Sequence, residues 1–480
     1  MKNRFVKFFC VLCAVLCLCS LLTGCGESSP TVYRSGGGDA VWTMGYGNAA
    51  IALPEDDSQP YYIAGYNSGW KPYGKLDLCE ANAVWMDTGD GGILLIGIDC
   101  VGLGGTDINE IRGRLKELVK ESGCKAVNIY STHTHAGVDT LGLWGPTMVN
   151  GKNDEYTENL MNAAVEAAYK AYETRTEGKL YLGSAETPRE FLRDSRLPLV
   201  FDPNLYQFRF EASDPAEKGI RMYLYGAHAE SLRGSNAFIS RDFPGVLCDT
   251  MEELTGDAAM FMPGAIGGLI MTAELDSSYL YNLQITSERL VEHALSITPE
   301  SERELAPTLS FATTEFKLPL DNTGYLFYRF LGILENETYR DRSSATGYGL
   351  TSEMTLLELG ALLLCLMPGE IFPELVWGGE YGDANPDGKP GADGAENPAP
   401  LAEIAAANGF GQLLVVGLAN DELGYIVPPS DFLLNEEIPY LDNIEDYKGE
   451  NHYEETNSVG PLTAPIIAET FEKLCAALAE

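Results

Sequence analysis

Positive charge is scarce in this chain. Its 480 residues carry 32 lysines and arginines against 70 aspartates and glutamates, a formal net charge of −38. A surface this acidic repels phosphate backbones and anionic headgroups, which excludes nucleic-acid binding and electrostatic docking on a membrane. Histidine is rarer still, at five residues. The cysteines beyond Cys25, namely Cys79, Cys100, Cys124, Cys248, Cys365 and Cys475, show no CxxC spacing. Their even number permits disulfides without demanding them, and several sit in apolar runs that suit small core side chains. No internal repeat stands out, and no break is sharp enough to split the chain. Its 45% hydrophobic content therefore suits one large domain.

The N-terminus has its own pattern. Lys2, Arg4 and Lys7 precede an apolar run ending at Leu22, and Leu22-Thr23-Gly24-Cys25 follows. A basic head, a short apolar core and small residues before a cysteine make a secretory signal, too short to be read as a spanning helix. The Leu-Thr-Gly-Cys order resembles the lipobox of bacterial lipoproteins, which implies removal of residues 1–24, lipidation of Cys25 and attachment outside a bacterial membrane by lipid. Residues 25–40, Ser/Gly/Pro-rich through "GESSPTVYRSGGGDA", read as a flexible tether, leaving 41–480 as the domain.

Beyond the tether, strands and helices alternate. "GGILLIGIDC" (91–100) is a continuous apolar run suited to a strand covered on both faces. "TDINEIRGRLKELVKESG" spaces Ile108, Ile111, Leu115, Leu118 and Val119 as a helix, with Thr106 or Asp107 placed to cap it. A second buried strand, "KAVNIYSTHTH", precedes an amphipathic helix over 154–173. Further on, 308–320 alternates like a half-buried strand, 354–370 reads as a buried strand, and the C-terminus closes with a helix. The order predicts an α/β fold of mixed, largely buried sheets flanked by helices.

Two of the five histidines, His133 and His135, end the second buried strand. Residues i and i+2 of a strand share a face, so both imidazoles are expected to point the same way where sheet meets loop. That placement starts a metal site or makes a hydrogen-bonded pair, and spacing does not choose. His228, in "RMYLYGAHAES", also ends an apolar strand, at the sheet edge where α/β chemistry is usually built. His293 is expected on a helix, on its surface or as a satisfied core residue, and His452 in a polar loop.

"STHTHAG" resembles the THTHSG signature of the neutral/alkaline, non-lysosomal ceramidases. Other stretches resemble that family's segments in the same order: "HAES…FISRDFPG" (228–245), "LMPGEIF" (366–372), "ANDELGYIVPPSDF" (419–432) and "HYEETNSVGP" (452–461). The resemblance covers nearly all of 41–480 and implies a zinc-dependent amidase with one Zn2+ per chain. It assigns His133, His228, Glu370 and, more weakly, Tyr425 as metal ligands. His135 becomes a catalytic histidine, Tyr453 a donor to the developing oxyanion, and Arg193, with Arg196 near it, a contact for substrate oxygen. Two histidines and a glutamate are an established catalytic zinc set that leaves one position for water. Read alone, Glu370 equally suits a helix cap, and the arginines suit pairing with the many carboxylates.

The resemblance is incomplete. Gly268, in "GAIGGLI", stands where the family has aspartate, and little beyond one helix follows Tyr453, where longer ceramidases carry a β-domain. The expected partner is therefore a small-molecule or lipid N-acyl substrate, ceramide or another, with "TLGLW" (140–144) beside the histidines suited to an acyl groove. Residues 383–397 open like a Ca2+ loop, with Asp383, Asn385, Asp387 and Gly388, but Gly394 occupies the twelfth position and the prolines favour a solvated insertion. The rival readings are a lipid-anchored solute-binding protein and a non-catalytic metal-binding lipoprotein.

Overall fold

A computed structural model describes residues 29–55, 58–194, 196, 200–271, 278–379, 395–445 and 451–480. The signal, Cys25 and nearly all of the calcium-like loop lie outside the described residues. Two mixed sheets pack face to face. The larger runs, in spatial order, Ala258–Pro263, Ile220–Tyr225, Asn204–Ala212, Thr176–Glu186, Trp42–Ala50, Glu80–Asp87, Ile93–Ile98 and Ala126–Ser131, with Arg303–Leu305 added beside Thr176–Glu186. Its outermost pair at each end is parallel and the rest are antiparallel. The smaller runs Thr31–Gly36, Thr308–Leu320, Tyr348–Leu359, Leu362–Leu366 and Gln412–Val416, with Thr338–Arg340 added beside Tyr348–Leu359.

Strand alternation builds the layers. Val84, Met86, Ile93 and Leu95 face one core together with Leu309, Phe311, Leu357 and Leu364 of the other sheet. Their neighbours Ala83, Trp85, Leu94 and Ile96 face outward onto the helices Gly105–Arg114 and Asp154–Glu173. On the far side Leu356, Leu363, Cys365 and Val415 meet Ile467, Phe471 and Leu474 of the helix Thr463–Ala479. The result is four layers, helix, sheet, sheet, helix, as the buried apolar runs require.

The helix Asp154–Glu173 has the predicted bounds, with the Asn153 side chain capping it by accepting from the Tyr156 N–H at 2.9 Å. Its alanine face lies so close to Trp42–Ala50 that a Cβ at Gly45 or Gly47 would strike the carbonyls of Ala171 or Ala167. Strand Thr308–Leu320 also matches its alternating pattern.

Three expectations change. Residues 31–36 are not tether, because Thr31–Gly36 pairs along Thr308–Leu320 and Tyr33 packs on Phe311 at 5.4 Å. The buried run 354–370 is not one strand: it completes Tyr348–Leu359, turns at Gly360 with φ of +63°, and returns as Leu362–Leu366. The predicted helix over 106–123 breaks at Leu115, and neither Thr106 nor Asp107 caps it. Asp421, from a distant loop, accepts the Gly105 N–H at 2.8 Å instead. The six described cysteines are buried thiols with no disulfide among them. No helix of the described residues is long and apolar enough to cross a membrane.

Candidate metal centre

Four strands deliver the site from their C-terminal ends. His133 and His135 follow Ala126–Ser131, His228 follows Ile220–Tyr225, Glu370 follows Leu362–Leu366 and Tyr425 follows Gln412–Val416. The first two strands belong to the larger sheet and the last two to the smaller, so the site bridges their edges. Loop pairing fixes the juncture: Thr134 bridges Ala229, Glu370 pairs with Tyr425, and the Asn420 N–H donates to the Ile129 carbonyl at 2.7 Å.

The two clustered histidines do meet, though not by sharing a strand face. The strand ends at Ser131, and His133 adopts a left-handed backbone with φ of +63°. The following chain turns so that the Nε2 atoms of His133 and His135 lie 3.1 Å apart. His228 Nε2 lies 2.9 Å and His133 Nε2 3.4 Å from Glu370 Oε2. Nitrogen atoms of His133, His135 and His228 all fall within 4.8 Å of one another.

Outer partners set the tautomers. His133 Nδ1 is 2.6 Å from the Val101 carbonyl and His228 Nδ1 is 2.6 Å from the Leu269 carbonyl. A carbonyl only accepts, so each Nδ1 carries hydrogen and each Nε2 turns a lone pair toward Glu370. Acceptors then face an acceptor, which a proton or a cation must reconcile. Ligand bonds of about 2.0–2.2 Å in tetrahedral geometry separate donor atoms by about 3.3–3.6 Å, close to the spacing found here. The donor set therefore fits a metal ion.

The protonation pattern follows. Burial opposes charge on His228, yet its hydrogen bond to Glu370 and that carboxylate's charge lift its pKa to about 9. Burial would raise Glu370, but His133 and His228 outweigh it and hold the carboxyl well below its usual range. Burial, reinforced by His133 and His228, holds His135 well below the usual histidine range. His135 is thus a neutral imidazole beside a charged pair.

The centre borders a cavity of about 690 Å³, with His133, His135 and Glu370 in its lining. Leu141, Leu143 and Trp144 line it, as "TLGLW" suggested, held by Asp139, whose carboxylate accepts the N–H groups of Leu141, Gly142 and Trp144 at 2.7–3.0 Å. Tyr425 and Tyr453 also line it, with hydroxyls 3.4 Å apart, and Tyr425 stacks on His228 at 6.4 Å. A second, smaller cavity of about 210 Å³ lies around Asp99 and Arg241 and contains none of the histidines.

Arg193 does not join the site. It lies on the short strand Leu192–Asp194 with an exposed side chain and is not part of the cavity lining, so its assignment to substrate is withdrawn. Arg196 is buried and pairs with Asp431, Glu454 and Glu455 at 2.6–3.0 Å. His452, expected in a polar loop, is buried with Nδ1 3.0 Å from Glu455. His293 sits on a helix, its Nδ1–H donating to the Arg289 carbonyl at 2.7 Å.

Three residues of the site had no sequence role. Glu230 accepts from the Tyr66 hydroxyl at 2.5 Å and lies 3.7 Å from His135 Nδ1. Asp242, with φ of +57°, accepts the Ser231 and Leu232 N–H groups and so secures the loop carrying His228. A Cβ on Gly65 would strike the His135 ring, which explains a glycine there with φ of +104°. Glu230 and Asp242 fall within quoted family segments, the only signal that pointed near them; nothing marks Gly65.

No family model and no curated protein matches this chain. Solved structures do. It aligns with the neutral ceramidase from Pseudomonas aeruginosa at a TM-score of 0.69 and 17% identity, covering 92% of this chain and 75% of that one. A ceramidase complexed with C2 aligns at 0.66 and 16% over the same shares. At this identity the likeness concerns the fold, which is the mixed α/β fold of the ceramidase domain.

Proposed function

We propose that the protein is a zinc-dependent hydrolase of amide (N-acyl) bonds related to the neutral ceramidases, anchored through Cys25 on the outer face of a bacterial membrane. One observation carries the catalytic reading: His133, His228 and Glu370, from three distant loops, converge with His135 beside a large cavity. The anchor rests on the leader sequence alone. His133, His228 and Glu370 would hold the metal, with the Tyr425 hydroxyl as a weaker fourth ligand. When bound, zinc supplies a Lewis acid and water that ionises near neutral pH.

The protein's own groups do the rest. His135, kept neutral by its surroundings, accepts the proton of the attacking water and returns it to the departing nitrogen as the C–N bond breaks. Glu230, fixed by Tyr66, faces Nδ1 and steadies the imidazolium between those steps. Tyr453 donates to the carbonyl oxygen as it gains charge, a contribution of roughly 10² to 10³ in rate for a preorganised donor. Leu141, Leu143 and Trp144 hold the acyl chain away from water.

The test is metal content of the purified protein, repeated on His133→Ala and Glu370→Ala, beside hydrolysis of an N-acyl panel that includes ceramide and N-acyl amino acids. One zinc lost in both variants, together with amide cleavage, is expected. Zinc without cleavage leaves the non-catalytic reading, and no zinc in the wild type overturns the proposal.

A further inference from the structure

The cavity wall beside the metal centre is strongly acidic. Asp107, Glu230, Glu335, Glu370, Glu422 and Asp442 line it, and among the described lining residues Lys152 is the one ammonium or guanidinium. That ammonium is already taken, lying 2.8 Å from Asp107 and 3.3 Å from Glu335. Burial, with the charge of Glu370, holds the Glu422 carboxyl well above its usual range, yet even with that group neutral a dication at the histidines would leave the lining net negative. The field therefore favours a cationic occupant and repels an anionic one.

Glu422 shows where such an occupant would be read. It is 8% exposed, three residues before Tyr425, and sits against Gly102 next to Leu141. Its Oε1 accepts the Gly424 N–H at 2.8 Å, whereas Oε2 is buried with no hydrogen-bond partner. Glu230 Oε1, on the same lining, is buried and unpartnered too. Buried carboxylate oxygens in native folds are almost always paired, so an orphan oxygen on each of two residues that line one cavity points to donors that the protein itself does not supply.

We propose that the cavity selects N-acyl substrates whose amine-side fragment carries a second, cationic amino group, and that Glu422 is the specificity residue that binds it. The inference rests on the cavity being the substrate site of the proposed hydrolase. Anionic substrates such as N-acyl amino acids are the disfavoured class, and neutral N-acyl alcohols lie between.

Three matched probes test this: N-lauroyl-ethylenediamine, N-lauroyl-ethanolamine and N-lauroylglycine, which share one acyl chain and differ in the charge of the end group. Their affinities are measured by calorimetry on the full chain after chelation, and their hydrolysis is scored separately with zinc present. The cationic probe should bind at least about tenfold more tightly than the anionic one, a gap that shrinks with added salt. Glu422→Gln, nearly the same shape, should weaken the cationic probe about tenfold and leave the ethanolamide within about twofold. Equal wild-type affinities, or an order untouched by the substitution, overturn the inference; the wild-type order stands independently of how the variant folds. Binding in the expected order without cleavage would remove the hydrolase reading and keep the subsite, whereas cleavage with equal binding would do the reverse.

Discussion

Two clusters of ionisable groups lie near the Tyr425–Tyr453 pair, and only one of them contains a guanidinium. Around Arg196, the guanidinium donates to Asp431, Glu454 and Glu455, while His452 holds the other side of Glu455. Around Glu370, the Nε2 atoms of His133 and His228 converge on one carboxylate oxygen. The first cluster balances its carboxylates with a guanidinium of the protein itself, although Arg196 Nε has no hydrogen-bond partner, and pins the turn Glu454–Asn457 that follows Tyr453. The second is complete only with a proton or a metal. The same residue types thus do structural work in one place and present metal-ligand atoms in the other, and the difference lies in the single arginine.

The largest effect expected from breaking this contrast is on the self-sufficient side. Arg196→Met leaves the fully buried Glu454 and Glu455 beside the part-exposed Asp431 without their guanidinium, and should cost about 3–5 kcal/mol of stability, seen as a lower melting temperature whether or not zinc is present. A loss below 1 kcal/mol would mean the cluster relaxes into solvent. On the other side, zinc should stabilise the wild type by about 4 kcal/mol at a thousandfold excess over its dissociation constant, and Glu370→Ala should abolish that gain. An equal zinc response in the variant would remove Glu370 from the ligand set.

Proton and metal compete for the same space, so pH sharpens the comparison next. In chelated protein the His228 pKa is raised to about 9, above its unfolded value. Its stabilising contribution is therefore complete below about pH 6.5 and is lost as pH rises through 9. Glu370, held low, contributes above its usual pKa and loses that contribution only in acid. Melting temperature of the chelated protein should fall between pH 6.5 and 9, by the equivalent of a few kcal/mol at most. Zinc-loaded protein should lose less over that window, because deprotonated imidazoles bind metal better. Parallel curves for the two forms would count against a shared site.

Long periodic segments were legible before the structure. The helix Asp154–Glu173 and the strand Thr308–Leu320 match their patterns because one apolar face decides each of them. The hairpin at Gly360 was not legible, since the apolar run continues across it without a turn dipeptide and both strands are buried. The strand Thr31–Gly36 was hidden by Gly and Ser around it; only pairing with a distant partner makes it a strand. For the site, His133, His228 and Glu370 were singled out by the family resemblance and not by spacing, and they do converge. What brings His133 to His135 was not readable, because a left-handed histidine is stabilised by tertiary contacts and not by local preference. Arg193 and Arg196 show the same limit: two similar residues, three positions apart, one exposed and one enclosed by carboxylates.

The smallest change isolates His135 from the metal ligands. Gly65 lies against the His135 ring, with the backbone at φ of +104°, so even one methyl group must push the imidazole away. His133, His228 and Glu370 are held by their own loops and carbonyl partners, and none of those depends on Gly65. Gly65→Ala should therefore keep zinc and lose hydrolysis by about a hundredfold, the lower range for removing a positioned acid–base group. Strain at that backbone position should also cost about 1 kcal/mol or more of stability. Its kcat should fall more than its KM rises, because the acyl wall at Leu141, Leu143 and Trp144 is untouched. Zinc loss in this variant would show that His135 is itself a ligand, making the site three histidines and a carboxylate instead of two histidines and a carboxylate beside a free base.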